Sequence, residues 1–149
     1  MEGFSGISRR TELIADKNGI KVFDDYAHHP TAIKTTIEGI RNKFPDARIW
    51  VIDEPHGYAR TSALLSKYQG AFDAADKIII GPIFKARETD TLGMTPEIVA
   101  KATGNENAAG LSSFEEIKNI LSQEVKSGDI IIVMGAGESY LWAREICNI

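Results

Sequence analysis

A single cysteine, Cys147, among 149 residues leaves no intrachain disulfide and no multi-cysteine zinc site. Its place beside Ile146 near the end of a helical pattern predicts a buried or half-buried, unreactive thiol. Long apolar runs are missing too. The longest, such as Ile130 to Val133, have the length of a strand, and the opening MEGFSGISRR lacks the apolar core of a signal peptide, so a cytoplasmic protein with no membrane partner is expected. There is no excess of basic charge: 17 Lys and Arg against 21 Asp and Glu give a formal net charge of −4, without the broad positive field that nucleic-acid binding needs. The chain also lacks a G-x-x-x-x-G-K-[ST] phosphate loop, a G-x-S-x-G nucleophile elbow, internal repeats, low-complexity tracts and linkers. With 43% hydrophobic and 26% charged residues, what remains is one well-buried core, read as a single domain over residues 1–149.

Strand-like apolar runs alternate with helix-like stretches, which predicts an α/β fold. Thr11 to Ala15 and Ile20 to Phe23 read as an antiparallel hairpin joined through Asp16, Lys17, Asn18 and Gly19, with an Asn-Gly pair that tolerates positive φ. Pro30 opens a helix to about Lys43, with Ile33, Ile37 and Ile40 on one face, and Pro45 stops it. The alternation continues: strand Ile49 to Ile52, helix near Thr61 to Phe72, strand Lys77 to Ile80, and an irregular stretch from Pro82 to Gly93. Thr95, Pro96 and Glu97 start a short helix ending before Gly104. A short strand at Ala108 to Leu111 leads to a helix from about Ser113 to Lys126, where Ser113 and Glu116 have capping-box spacing. Strand Ile130 to Met134 and a helix from about Ser139 close the chain. The expected architecture is Rossmann-like: a mostly parallel sheet of about six strands, helices on both faces, and the N-terminal antiparallel hairpin.

Function in such a sheet concentrates at the loops leaving the carboxyl ends of the strands. All three histidines, His28, His29 and His56, fall in such loops, within DDYAHHP and DEPHGYAR. In the first loop, Asp25 or His29 can cap the following helix and Tyr26 can pack over the sheet edge. That accounts for one polar residue of the five. A carboxylate there can also hold hydroxyls such as a ribose, and a histidine can titrate near neutrality or donate to an anion. A zinc site from His28, His29, His56 and Asp25 needs a bent loop, because adjacent histidines on extended backbone point apart; no metal site is assigned.

In the second loop, Arg60 offers a planar fork for a carboxylate or phosphate, each charge-assisted bond contributing about 1.5 to 3 kcal/mol. His56 and Tyr58 alternate with it. After the last strand, Gly135 and Gly137 in MGAGESY would let the backbone approach a ligand at a helix N-terminus. Arg87 and Glu88 follow the fourth strand at the same mouth of the sheet, as either an exposed ion pair or part of the site. Arg9 and Arg10, near the N-terminus, read as a solvated basic pair or a phosphate clamp.

SRRTEL at Ser8 to Leu13, DDYAHHPTAI at Asp24 to Ile33, EPHGYART at Glu54 to Thr61, AADKIII at Ala74 to Ile80, KARE at Lys85 to Glu88 and GAGES at Gly135 to Ser139 resemble, in order and spacing, the C-terminal domain of the Mur ligases. DDYAHHP is the specific element, and the resemblance is greatest to the branch that joins L-alanine to UDP-N-acetylmuramate. It implies the third domain of an ATP- and magnesium-dependent amide ligase of peptidoglycan synthesis, whose N-terminal UDP-sugar domain and central ATPase domain are its partners. The muramoyl carboxylate is phosphorylated there and the acyl phosphate is attacked by the donor amine, so this domain alone is expected to be inactive. The resemblance assigns Arg10, Asp25 and Tyr26 to the nucleotide, and His28 and His29 to the reacting carbonyl and amine. It assigns His56, Tyr58, Arg60, Arg87, Gly135 and Ser139 to the amino-acid substrate, with Arg60 on its carboxylate.

One position departs: Gly57 stands where the alanine-adding branch usually has arginine. Glu54 before Pro55 is closer to murein peptide ligase, the recycling relative that takes a tripeptide. Two further readings differ in kind: a stand-alone module binding a nucleotide or acidic metabolite, and a metal-dependent hydrolase built on the histidines.

Overall fold

The computed structural model describes residues 11–149. They form a six-stranded sheet in the order β1-β2-β6-β3-β4-β5. Strands β1 (Glu12–Lys17) and β2 (Ile20–Asp25) pair antiparallel. Strands β3 (Ile49–Asp53), β4 (Lys77–Ile80), β5 (Ala108–Gly110) and β6 (Ile130–Met134) run parallel with β2. The architecture is the one expected.

The hairpin is tighter than expected, because Asp16 and Lys17 belong to β1 and only Asn18 and Gly19 turn the chain. Their φ values of 56 and 77 are the left-handed pair that a two-residue turn between right-twisted strands requires.

Helix α1 (Pro30–Lys43) follows β2, α2 (Tyr58–Leu64) follows β3, and α3 (Pro96–Ala102) follows β4. All three cover one face, where Ile33, Ile37 and Ile40 meet Val51, Ile78, Ile132, Tyr68 and Phe72. Helices α4 (Phe114–Glu124) and α5 (Ser139–Ile146) cover the other through Ile117, Leu121, Trp142 and Ile146. Strand residues feed the two faces alternately, as the pleat dictates: Val51 goes to the first and Trp50 and Ile52 to the second. Each fully buried aliphatic side chain contributes about 1.5 to 3 kcal/mol.

Most caps read from sequence are present. Thr95 accepts from the Ile98 amide, and Ser113 from that of Glu116. The Glu116 carboxylate reaches back one residue further than expected, to the Ser112 amide. Cys147 is half-buried, and burial pushes its thiol further up.

The helix expected over Thr61 to Phe72 is instead α2, starting three residues earlier, followed by a 3-10 turn at Leu65–Tyr68. Its start is set by a contact remote in sequence. The Glu88 carboxylate accepts from the amides of Tyr58 and Ala59, while Gly57 turns into the helix at φ 80.

The strand order fixes where a site can form. The chain leaves β2 and β3 toward the first face and leaves β6, which lies between them, toward the second. Loops that diverge in this way open a crevice at the carboxyl ends of β2, β6 and β3, the switch point where α/β sheets take ligands.

Candidate functional site

Backbone hydrogen bonds carry the sheet one step past its strands and hold the site loops in register. The Gly135 amide donates to Asp25, that of Glu54 to Met134, and that of Gly81 to Asp53. Beyond them the Phe84 amide donates to Pro55 and the Gly57 amide to Phe84, so the loops after β3 and β4 form a short bridge of their own. Four rings cross the mouth along this framework. Tyr26 meets His28 edge-on at 5.3 Å between ring centres. His28 lies 5.7 Å from His56, and His56 stacks on Phe84 at 5.1 Å.

His56 is held neutral. Burial lowers its pKa first, and His28 and Arg60 lower it further, against an upward pull from Glu88. Its Nδ1 is buried without a hydrogen-bond partner among the described residues. His28 and His29 diverge, as adjacent residues on extended backbone should. His28 turns its Nδ1 toward the Tyr26 carbonyl at 3.0 Å, whereas His29 accepts from the Thr31 amide and caps α1. Asp25, only 4% exposed, ties the loop to β1. It accepts from the amide and hydroxyl of Thr11 and from the Ala27 amide, each at 2.7 Å.

Of the residues read from sequence, His28, His56, Tyr58 and Arg60 come together at the mouth, with Arg60 exposed and making no hydrogen bond or ion pair among the described residues. Tyr26 lies at the outer end of the ring series, 48% exposed. Arg87 is exposed on the turn from Lys85 to Glu88. Asp25 and His29 hold backbone around the site, the Ser139 amide is itself held by Glu54, and Arg10 lies outside the described residues. No group of three or more His, Cys, Asp or Glu among the described residues is placed to hold a metal ion.

Three acidic residues define the site from below; of these the sequence pointed to Glu88 as part of the site or of an exposed ion pair, and gave Glu54 and Asp53 no role in it. Glu54 accepts from the amides of Gly137, Glu138 and Ser139, filling the N-terminus of α5 with the protein's own carboxylate. Burial raises its pKa, and these three amides pull it back part of the way. Glu88 fills the start of α2 in the same manner. Asp53, 1% exposed at the end of β3, has no partner for either oxygen among the described residues. Burial, with Glu54 second, holds its carboxyl well above the ordinary range.

The glycines of GAGES open the backbone to the protein itself. A Cβ on Gly135 would meet Ser139 Oγ at 2.6 Å and Glu54 Oε1 at 2.8 Å. One on Gly137 would lie 2.5 Å from the Phe84 ring. Because that ring is stacked on His56, it cannot yield without moving the imidazole. Gly137→Ala is therefore expected to cost about 1 to 3 kcal/mol and to shift the His56 ring proton signals in an NMR spectrum. Unchanged His56 signals would show that Phe84 does not transmit the strain.

A concave groove of about 600 Å³ runs from this mouth along α1, lined by Asp25, Tyr26, His28, His29, Thr35 and Lys43 among others.

The chain is similar to known proteins in sequence and in fold. The family model described as Mur ligase, glutamate ligase domain, matches residues 9–137. The chain is 41% identical over 144 residues to the UDP-N-acetylmuramate--L-alanine ligase of Alkaliphilus metalliredigens, covering 96% of this chain and 31% of that one. It is 43% identical over 143 residues to the enzyme of the same name from Acetivibrio thermocellus, covering 94% and 30%. The crystal structure of a murein peptide ligase from Psychrobacter arcticus superposes with a TM-score of 0.77 at 31% identity, over 95% of this chain and 30% of that one. The chain thus spans about a third of the length of the curated relatives it matches. Sequence and fold agree, and the chain belongs to the Mur ligase family, matching its C-terminal domain.

Proposed function

We propose that this chain is the third domain of an ATP-dependent ligase that joins L-alanine to UDP-N-acetylmuramate in cytoplasmic peptidoglycan precursor synthesis. The supporting observation is Arg60. Its guanidinium is exposed and unpaired among the described residues at the switch point, beside a neutral His56, in a chain 41% identical to a named L-alanine ligase. An amino acid reaching this mouth presents a carboxylate, and the planar fork can hold it with two charge-assisted bonds. The His28 and His56 rings then wall the amine's path toward the activated carbonyl, and Tyr26 and Phe84 exclude water that would hydrolyse it.

When bound, ATP supplies the phosphoryl group that activates the muramoyl carboxylate, with magnesium, in the other domains of such a ligase. The residues present fit a limited share of the nucleotide. Asp25 has given three of its lone-pair directions to Thr11 and Ala27, and the one left on Oδ1 suits a single ribose hydroxyl at the groove beside Tyr26. A tripeptide donor is the second reading, supported by Glu54 before Pro55 and by the 31% identity to a murein peptide ligase.

The test joins this chain to the N-terminal and central domains of the Alkaliphilus metalliredigens relative and follows ATP-dependent attachment of labelled L-alanine. Arg60→Ala is expected to lower kcat/KM for L-alanine about 100-fold, the loss of some 3 kcal/mol of charge-assisted bonding. A variant as active as the parent removes Arg60 from the substrate. By itself the 149-residue chain is expected to hydrolyse no ATP.

A further inference from the structure

We propose that a cavity between the hairpin and the ends of α4 and α5 binds an aliphatic monocarboxylate, its chain among Val22, Leu121, Ile131 and Ile146 and its carboxylate on Lys17. The cavity holds about 200 Å³ and lies on the second face, at the hairpin end of β2. Asp25, where the crevice begins, is at the other end of that strand, about 16 Å from Ile20, so the two places are separate.

The walls are apolar. Val22 and Ile131 come from the sheet, Leu121 from α4 and Ile146 from α5, each 3% exposed or less. Ala15, paired with Val22 across the hairpin, contributes a single methyl where a larger side chain would close the space. The polar side chains among the walls offer water little. Ser122 donates its hydroxyl proton to the Lys118 and Asn119 carbonyls of its own helix, and burial pushes the Cys147 thiol up, so it stays neutral. A buried water needs two to four polar partners, whereas an apolar cavity of about 150 Å³ takes a guest such as benzene. The present one has room for a chain of roughly six to eight carbons.

The rim supplies the charge. Lys17 lines the cavity, and its ammonium is close enough to Cys147 to act on the thiol. Asp16 beside it pairs with Lys21 at 3.7 Å, and the Lys17 ammonium makes no ion pair or hydrogen bond among the described residues. Asp24, the acid that acts on the same thiol, is buried and lies nearer the crevice than Val22. The last carbonyls of α5 are taken by the amides of Cys147, Asn148 and Ile149. An unpaired ammonium at the lip of an apolar cavity matches a guest with an anionic acceptor head and a tail without polar atoms. An amine head would be repelled there, and an alcohol would forgo the charge.

The experiment is an NMR titration of the 149-residue chain, read at the Val22, Leu121 and Ile131 methyl groups. The probes are butanoate, hexanoate, octanoate, decanoate and 1-octanol. Octanoate is expected to bind about tenfold more tightly than 1-octanol. Each methylene added from butanoate to octanoate should tighten binding about three- to fourfold, and decanoate should gain nothing further because the cavity is full. Lys17→Gln is expected to bring octanoate down to the affinity of 1-octanol. Ala15→Leu fills the cavity from β1 and Ser122→Leu narrows it from α4, and each is expected to abolish binding of both probes without lowering the thermal midpoint. Methyl signals that do not respond to octanoate, equal binding of octanoate and 1-octanol, or full binding by both filled variants overturns the proposal. Responses at the His28 and His56 ring protons instead of the methyl groups would put the carboxylate in the crevice and overturn it as well.

Discussion

Replacing Glu54 by alanine is expected to destabilise the protein by about 3 kcal/mol or more, read as a lower urea midpoint at unchanged slope. One carboxylate serves three amide donors, from Gly137, Glu138 and Ser139, at 3.0 to 3.2 Å. Water cannot replace it cheaply, since Glu54 is 2% exposed and Ser139 fully buried. Each buried donor left without an acceptor costs about 1 to 3 kcal/mol, and the partial positive charge of the α5 N-terminus loses its counter-charge as well. Glu54→Gln separates the two contributions, because it keeps one acceptor and loses the charge. Its cost is expected to be less than half that of alanine. Faster hydrogen exchange at the Gly137 to Ser139 amides would locate the damage at the α5 start. A loss below about 1 kcal/mol for Glu54→Ala would mean that the loop finds other acceptors.

Glu54 also shows where sequence reading stops. The sheet, the hairpin, the first face of α1 and the caps at Thr95 and Ser113 are local matters, decided by residues within four positions of one another, and they were legible. The start of α2 was not, because its capping carboxylate comes from position 88, thirty residues on. The GAG turn looked like an approach path for a ligand. In the folded chain Glu54, Ser139 and the Phe84 ring crowd it, and none of these contacts leaves a periodic trace. The histidines were legible as a group from their position after strands. Which of them caps α1, His29, and which joins the ring series, His28, is settled by the bend at Pro30 and by His56 arriving from β3. Asp53 carried one available signal: an acidic residue directly after the apolar run Ile49 to Ile52, in step with Val51, must enter the same buried face.

That placement makes Asp53 a residue whose replacement should stabilise the protein increasingly as pH rises above the ordinary carboxylate range. Two buried carboxylates on this sheet behave oppositely. Burial pushes Asp129 up, but Arg48, the Lys126 amide and the Trp50 indole outweigh it, and it ends below its ordinary value. Asp53 has burial and the neighbouring Glu54 acting in one direction and no donor to oppose them. In the unfolded chain Asp53 loses its proton near the ordinary value of 3.8, while in the folded chain it keeps the proton well above that. Between those limits the unfolded state binds fewer protons, so Asp53 subtracts stability as pH rises, by about 1.4 kcal/mol per pH unit. Its contribution is most favourable below the unfolded value and is progressively lost up to the folded one. Asp53→Asn cannot titrate. Near pH 4 it should resemble the parent, since a buried unpartnered amide costs about what a buried unpartnered acid does. Its advantage in thermal midpoint should then widen as pH rises from the unfolded value toward the raised folded one. The histidines and the other titrating groups that do not act on Asp53 cancel in the difference, leaving Asp53 with the Glu54 coupled to it, so parallel pH profiles would mean that Asp53 is charged in the fold and has found a donor.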